Sequence, residues 1–445
     1  MSGAGVPPNV AYRWRELVTR CIFLPMSAIL TRKLRSVFQT RDLSLLWAGQ
    51  VISMSGDSIY QIALLWLALE LTASKAITGL VAMSSYLPAI FLSLVAGVVA
   101  DRADRRRVML YADAVRTIAI FGIPLASVLG ILSPWVLVIN AFVIASAAAF
   151  FNPAKDSIIP QLVPQSGLLR ANGLIQTSWQ LAILTGPAIA GGLLSVTGLI
   201  PLFAFDSAAY ATSFLTIWLL RARPENVPTA AQSGQRSSVV ERIREGSGEI
   251  KRGLKFAAGN RVLLPLLLIT VADNLFIMGP AIVGIPVLVR ETYNGSASDY
   301  ALLAMAFAVG MLIGTAGLLI WGRHIAKGKM LLWGMVFDGL TFIPYFFAHN
   351  LLEMTVYSVI HGMAVPLLTV SRASLVQEVV PPEMRGRMFS LISLAVVGMS
   401  AFSSGFTGLV LEVITAPTLF LIVGVVGGLC GVIGLLFAKQ LRKQN

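Results

Sequence analysis

Two stretches of this chain, residues 43–69 and 388–415, each carry a single acid and are otherwise uncharged and largely apolar. Crossing the hydrocarbon core of a bilayer takes about 20 apolar residues as a helix. In lipid, every backbone N–H and C=O must be paired inside the protein, which leaves helices or closed barrels. Continuous apolar runs without two-residue alternation specify helices. Composition agrees: 12% of residues are charged, against roughly 25% in soluble domains. The expected fold class is an all-α membrane protein.

Hydropathy places twelve helices near 43–69, 76–100, 108–130, 134–152, 171–197, 199–220, 262–289, 300–321, 330–348, 354–370, 388–414 and 417–438. Of the 34 Lys and Arg residues, 31 fall in segments on one side of that arrangement. Lys75 and Arg290 lie on the other side, and Arg116 lies inside the third helix. By the positive-inside rule the basic side is cytoplasmic, with both termini there. The net charge of +13 is thus a topology signal, and nucleic acid is not an expected partner. No cleavable leader is legible in residues 1–42, and Met26 is an alternative start. Cys21 and Cys430 form neither a disulfide framework nor a metal-ligand spacing.

The chain divides into a tail (1–42), a six-helix bundle (43–220), a linker (221–261), a second six-helix bundle (262–438) and a short tail (439–445). The linker begins as a Pro/Ser/Gly/Gln-rich segment. Its second part, from Val239 to Ala258, interleaves charges and apolar residues as a surface helix does. The halves match at an offset near 217 residues, where Lys155, Ser157, Pro164 and Arg170 fall opposite Arg372, Ser374, Pro381 and Arg387. With a one-residue adjustment Asp57 falls opposite Asp273. Matches clustered in equivalent segments indicate duplication.

Between the second and third helices runs Gly97-Val-Val-Ala-Asp101-Arg102-Ala-Asp104-Arg105-Arg106-Arg107. The pattern resembles the major facilitator superfamily, whose loop reads Gly-x-x-x-Asp-Arg-x-Gly-Arg-Arg; Asp104 stands where that family has Gly. The resemblance extends from about Arg41 to the C-terminus. It is nearest to the group of macrolide-efflux proteins and the enterobactin exporter, through Tyr111-Ala-Asp113-Ala-Val-Arg116, Phe151-Asn-Pro-Ala-Lys155-Asp-Ser, Ala171-Asn-Gly-Leu, Gly186-Pro187-Ala-Ile-Ala-Gly191 and Phe205-Asp206-Ser-Ala. It implies two pseudo-symmetric six-helix bundles, the major facilitator fold, and a transporter working as a monomer. Gly97, Asp101, Arg102, Arg105, Arg106 and Arg116 are then the expected cytoplasmic gate. Orientation alone needs Lys and Arg rather than the loop acid.

Ionisable residues inside the expected spans are costly unless paired or hydrated. Asp113 and Arg116, three apart, suit a mutual pair. Asp57, Asp273, Asp206 and His361 are the candidates for proton coupling, and Asp338 has no evident local partner. Gln50, Ser53, Asp57, Tyr60 and Gln61 form a polar stripe at helical spacing. Further stripes come from Asn172, Gln176, Trp179 and Gln180, and from Thr270, Asp273 and Asn274. Together they predict a central cavity with aromatic walls, suited to an amphipathic small molecule. Pro280, Gly284 and Pro286 should break the outer half of the seventh helix, as a gate or site, or simply kink it.

The leading expectation is proton-coupled export of drug-like compounds or siderophores. Alternatives are export or flipping of a lysolipid or a metal ion, and a transporter-like sensor. The expected cofactor and metal set is empty, because the acids and His361 have no clustered His/Cys company. A Gly-x-x-x-x-Gly-Lys-Ser/Thr loop is missing, so ATP is not the expected driver, nor is an enzyme the expected class.

Overall fold

The computed structural model describes residues 40–221 and 239–444. Twelve of its helices are long and apolar enough to cross a membrane. In the first half they are α1 (Arg41–Thr72), α2 (Lys75–Ala100), α3 (Arg105–Val128), α4 (Pro134–Leu162), α5 (Gln165–Thr197) and α6 (Ile200–Trp218). A helix outside this set, α7 (Val239–Ala258), occupies the linker. The second half holds α8 (Leu263–Thr292), α9 (Ala297–Trp321), α10 (Lys327–Phe347), α11 (Leu351–Val379), α12 (Pro382–Leu411) and α13 (Ala416–Phe437). The end of the bundle at which α1 begins is called here the linker end, and the opposite one the far end.

Helix starts follow from polar caps. Thr40 Oγ1 accepts from the Leu43 N–H at 3.1 Å and donates to Leu162 O at 2.9 Å, which ties the start of α1 to the end of α4. Ser296 and Asp299 form a reciprocal capping box at α9. Asn350 caps α11 by accepting from the Glu353 N–H at 3.0 Å. Each of these pairs backbone donors that a helix start leaves unmatched.

Two expected loops are largely helical. Residues 153–172 were expected to connect the fourth and fifth spans, yet α4 continues to Leu162 through Pro153 and Pro160. Similarly α11 continues to Val379 and α12 restarts at Pro382. Prolines and charges are tolerated in such helices where neighbouring helices supply partners. The repeat-related pair Lys155 and Arg372 therefore sits on helices. Lys155 is buried beside Asp156 at 3.6 Å. The expected break in the seventh span is a loosening instead: α8 passes through π-helical turns at Pro280–Gly284 and Leu288–Thr292 without leaving helical form. Wider turns absorb the hydrogen bonds that Pro280 and Pro286 cannot make. Ser403 of α12 adds to this, accepting from the Gly279 N–H at 2.8 Å and donating to Leu275 O at 2.6 Å.

Within the first half α1 packs on α5 and α6, and α3 on α4 and α6; within the second, α9 packs on α11, and α10 on α11 and α13. The halves meet through α2 with α12 and α5 with α9. The internal repeat maps α2 onto α9 and α5 onto α12, so each contact is the other turned through the pseudo-twofold axis.

A central cavity between the halves

At the centre are two adjoining chambers. The first, of about 430 Å³, is lined chiefly by α1, α4 and α5, including Gln50, Ser53, Asp57, Gln61, Arg116 and Trp179. The second, of about 500 Å³, lies in the other half and is lined by Asp273, Asn274, Asp338, His361, Arg372 and an aromatic wall with Phe342 and Tyr345. Trp179, Ile183, Ala304 and Phe307 border both.

Asp57 is half-buried, so its carboxyl meets both protein and cavity. The Tyr210 hydroxyl of α6 donates to its Oδ1. Arg116 of α3 lies behind, its guanidinium 4.8 Å from the Phe151 ring centre and 5.0 Å from that of Tyr210. It also meets Asp113 at 3.4 Å, and Asp113 accepts from Ser213 Oγ at 2.7 Å. Asp206 is fully buried and packs against Gly56 of α1, where an added Cβ would stand 2.3 Å from Asp206 Oδ1. Neither of its carboxyl oxygens has a hydrogen-bond partner. Of the charged groups near it, Arg116 opposes a charge on this carboxyl and Asp57 repels one.

In the second half the Asn274 amide donates to Asp273 Oδ2 at 3.3 Å and to Thr270 O at 2.8 Å, while Ser400 donates to Asn274 Oδ1 at 3.4 Å. Asp338 of α10 is 2% exposed and lies 3.4 Å from His361 Nδ1. That nitrogen also pairs with Thr341 Oγ1 at 2.9 Å. The imidazole packs between Phe307 and Phe342.

Some expected cavity residues stand elsewhere. Tyr60 is buried toward α4, its hydroxyl donating to Asn140 Oδ1 at 3.0 Å. It shares the polar content of the α1 stripe but not its open face, because Tyr60 and Asp57 point to different neighbours. Gln176 and Gln180 are exposed and do not line either chamber, although Trp179 between them does. Arg116, expected at the gate, is instead in the cavity wall, well along α3 from the loop.

The sequence did not single out Arg372, which lines the second chamber, or Tyr210, which is buried behind Asp57. Arg372 reaches the chamber because α11 continues to Val379, past the expected end of its span at 370. Tyr210 carried a usable signal, standing four residues after Asp206 and so one helical turn along the same face.

The loop motif splits by function. Arg105 donates to Ser157 O at 3.0 Å, and Arg106 donates to Ile217 O at 3.0 Å and to Trp218 O. These bonds hold the start of α3 to the ends of α4 and α6 in the same half. Asp104 caps α3, accepting from the Arg107 N–H at 3.2 Å, with an ordinary φ of −62°. That accounts for an acid at the family's glycine position. The Asp101 side chain lies outside the described residues, Gly97 has open space beside it, and Arg102 is exposed.

The far end joins the halves. The Glu412 carboxylate, after α12, accepts from Ser74 Oγ and from the Ala76 N–H, each at 2.9 Å. Lys75 meets Glu291 at 2.9 Å, and Trp66 stacks on Tyr300 with ring centres 6.3 Å apart. Gly79 and Gly408 let α2 and α12 touch backbone to backbone: a Cβ on Gly79 would lie 2.7 Å from Ser404 O.

Twelve spans in two halves, related by a pseudo-twofold axis around a charged internal cavity, define a major facilitator transporter. The chain belongs to the Transmembrane secretion effector family, whose model matches residues 35–444. It is 27% identical over 349 residues to macrolide efflux protein A of Streptococcus pyogenes, covering 78% of this chain and 83% of that protein. It is 26% identical over 364 residues to the multidrug efflux pump Tap of Mycolicibacterium fortuitum, covering 80% and 85%. Among solved structures, a POT family transporter superposes with a TM-score of 0.71 at 15% identity, covering 91% of this chain and 97% of that one. The family and the named relatives are transporters, not enzymes.

Proposed function

We propose that the protein exports amphipathic small molecules, drug-like compounds or siderophores, across the bacterial inner membrane in exchange for protons. It does so as a monomer by alternating access, with both termini and the 221–261 linker in the cytoplasm. The observation that carries the coupling reading is Asp57, a carboxyl on the cavity wall held by Tyr210 beside Arg116. It meets both the space a substrate would occupy and the buried network behind it. A carboxyl so placed takes a proton when the cavity faces one side and gives it up to the other. In its charged form it competes for, or attracts, the polar part of a substrate. Asp206 is the second member of this network, and Asp273 with His361 and Asp338 is its counterpart in the other half. The aromatic second chamber suits an apolar body, and the efflux activity in the relatives' names points the same way.

The cross-half contacts at the far end support a conformation closed on the extracytoplasmic side, with loading from the linker side. Asp101, with Arg102, Arg105 and Arg106, would then complete the opposite gate when that side closes.

Asp57→Asn keeps shape and hydrogen bonding while removing titration. In proteoliposomes with an imposed pH gradient and a panel of amphipathic compounds, it should reduce gradient-driven accumulation to background while leaving folding and substrate binding in place. Uphill transport by the variant with a normal pH dependence would make Asp57 structural.

A further inference from the structure

Away from the central cavity, a separate pocket of about 440 Å³ opens at the linker end, where α8 begins and α13 ends. Arg261 and Lys439, both exposed, stand on its rim, and among the described residues no acid lines it. Below them its wall is apolar, made by Leu264, Pro265 and Phe437. We propose that this pocket binds an anionic phospholipid, its headgroup phosphate held by Arg261 and Lys439 and an acyl chain lying along Phe437.

Level in the molecule is the first argument. Arg261 immediately precedes the apolar run that starts α8 at Leu263, and Lys439 follows the last residue of α13, Phe437. The pocket therefore straddles the boundary between span and water, the depth at which lipid phosphates lie. Basic pockets between spans at that depth are suited to anionic headgroups. Charge is the second. Asn260 spends its Oδ1 on the Val262 and Leu263 N–H groups, at 2.8 and 3.2 Å, which leaves its NH2 group as a donor on the pocket wall. The carbonyls at the end of α13 would repel a phosphate, but Arg442 donates to Leu435 O at 3.0 Å and offsets part of that field. The third is the apolar wall: Phe437 is 79% exposed on a spanning helix, so its ring faces the surrounding lipid. A free phosphate would use the cations and leave this wall idle, whereas a phospholipid uses both.

The site is independent of what the central cavity carries, so its test is a binding measurement. Full-length, delipidated protein in detergent is titrated with dioleoylphosphatidylglycerol and with dioleoylphosphatidylcholine, and retained lipid is read by native mass spectrometry. The wild type should retain the anionic lipid in preference to the zwitterionic one. Arg261→Gln and Lys439→Gln should each weaken phosphatidylglycerol binding about fivefold and the double variant about thirtyfold. Arg170→Gln, at an exposed position on α5 outside the pocket, should leave it unchanged. Equal retention of the two lipids by the wild type overturns the proposal without reliance on any variant. So does wild-type affinity in a folded double variant. Displacement of the lipid by inorganic phosphate at comparable concentration would make this a free-anion site and overturn the lipid assignment.

Discussion

Asp206 and Gly56 meet so closely that each explains the other. The carboxyl has no donor, and only the missing Cβ on α1 gives it room. Gly56→Ala should therefore overpack the α1–α6 contact and cost about 1–3 kcal/mol. A lowered thermal unfolding midpoint, recovered when Asp206→Ala is added, would show that the cost lies in this contact. An unchanged midpoint in the single variant would mean that α6 shifts freely, and Asp206 would lose its fixed position in the coupling network. Tyr210→Phe tests the neighbouring bond: it removes the donor to Asp57 while keeping the ring beside Arg116, so it should shift the pH profile of transport more than substrate affinity. A pH profile identical to wild type would detach Tyr210 from coupling.

At the scale of helices, the far-end contacts behave as a latch between α2 and α12. Hydrogen bonds from the Ala76 N–H and from Ser74 hold the Glu412 carboxyl below its ordinary value of 4.5. A depressed carboxyl pKa means that this contribution is complete at neutral pH and lost as pH falls through the lowered value. The latch should therefore be indifferent to pH between about 5 and 8, the range in which ordinary carboxyls are already ionised. Spin labels at Leu199→Cys and Thr415→Cys, one in each half at the far end, should give distance distributions that do not change over that range. Glu412→Gln should raise the far-end-open population by less than about fivefold, because the group is largely exposed. Broadening with pH in the wild type, persisting in Glu412→Gln, would assign far-end opening to another group. At the opposite end, Asp101→Asn should leave insertion intact and strongly slow transport. Normal kinetics would leave the loop as a topology signal and an anchor for α3.

For the whole molecule, sidedness is the property that separates export from import, and it has a direct readout. In intact cells a membrane-impermeant thiol reagent should label Val413→Cys, which is exposed at the far end, and should spare Lys251→Cys on α7. The reverse pattern would invert the topology and with it the direction assigned to the open cavity. Helix α7 also links the halves physically at the linker end. It packs against α12 and the second part of α2, with Glu249 paired to Arg387 and Gly253 lying 3.6 Å from the Arg387 Cβ.

The number and type of elements were legible in the amino acids because lipid imposes a one-dimensional rule: about 20 apolar residues per span and basic residues gathered on one side. The pair Asp113 and Arg116 was legible for the same local reason, as three-residue spacing puts both on one helix face. Proline weakened the reading at residues 153–172 and 371–387, because neighbouring helices supply what it removes and no local rule counts neighbours. Which face of a polar stripe meets the cavity was likewise a tertiary matter. Asp57 and Tyr60 stand three apart on α1, yet one opens to the cavity and the other bonds Asn140. Periodicity orients residues relative to their own helix axis, whereas only packing against α4, α5 and α6 fixes the rotation of that axis in the bundle. The assembly of Arg116, Tyr210 and Asp57, drawn from three helices, was decided at that level.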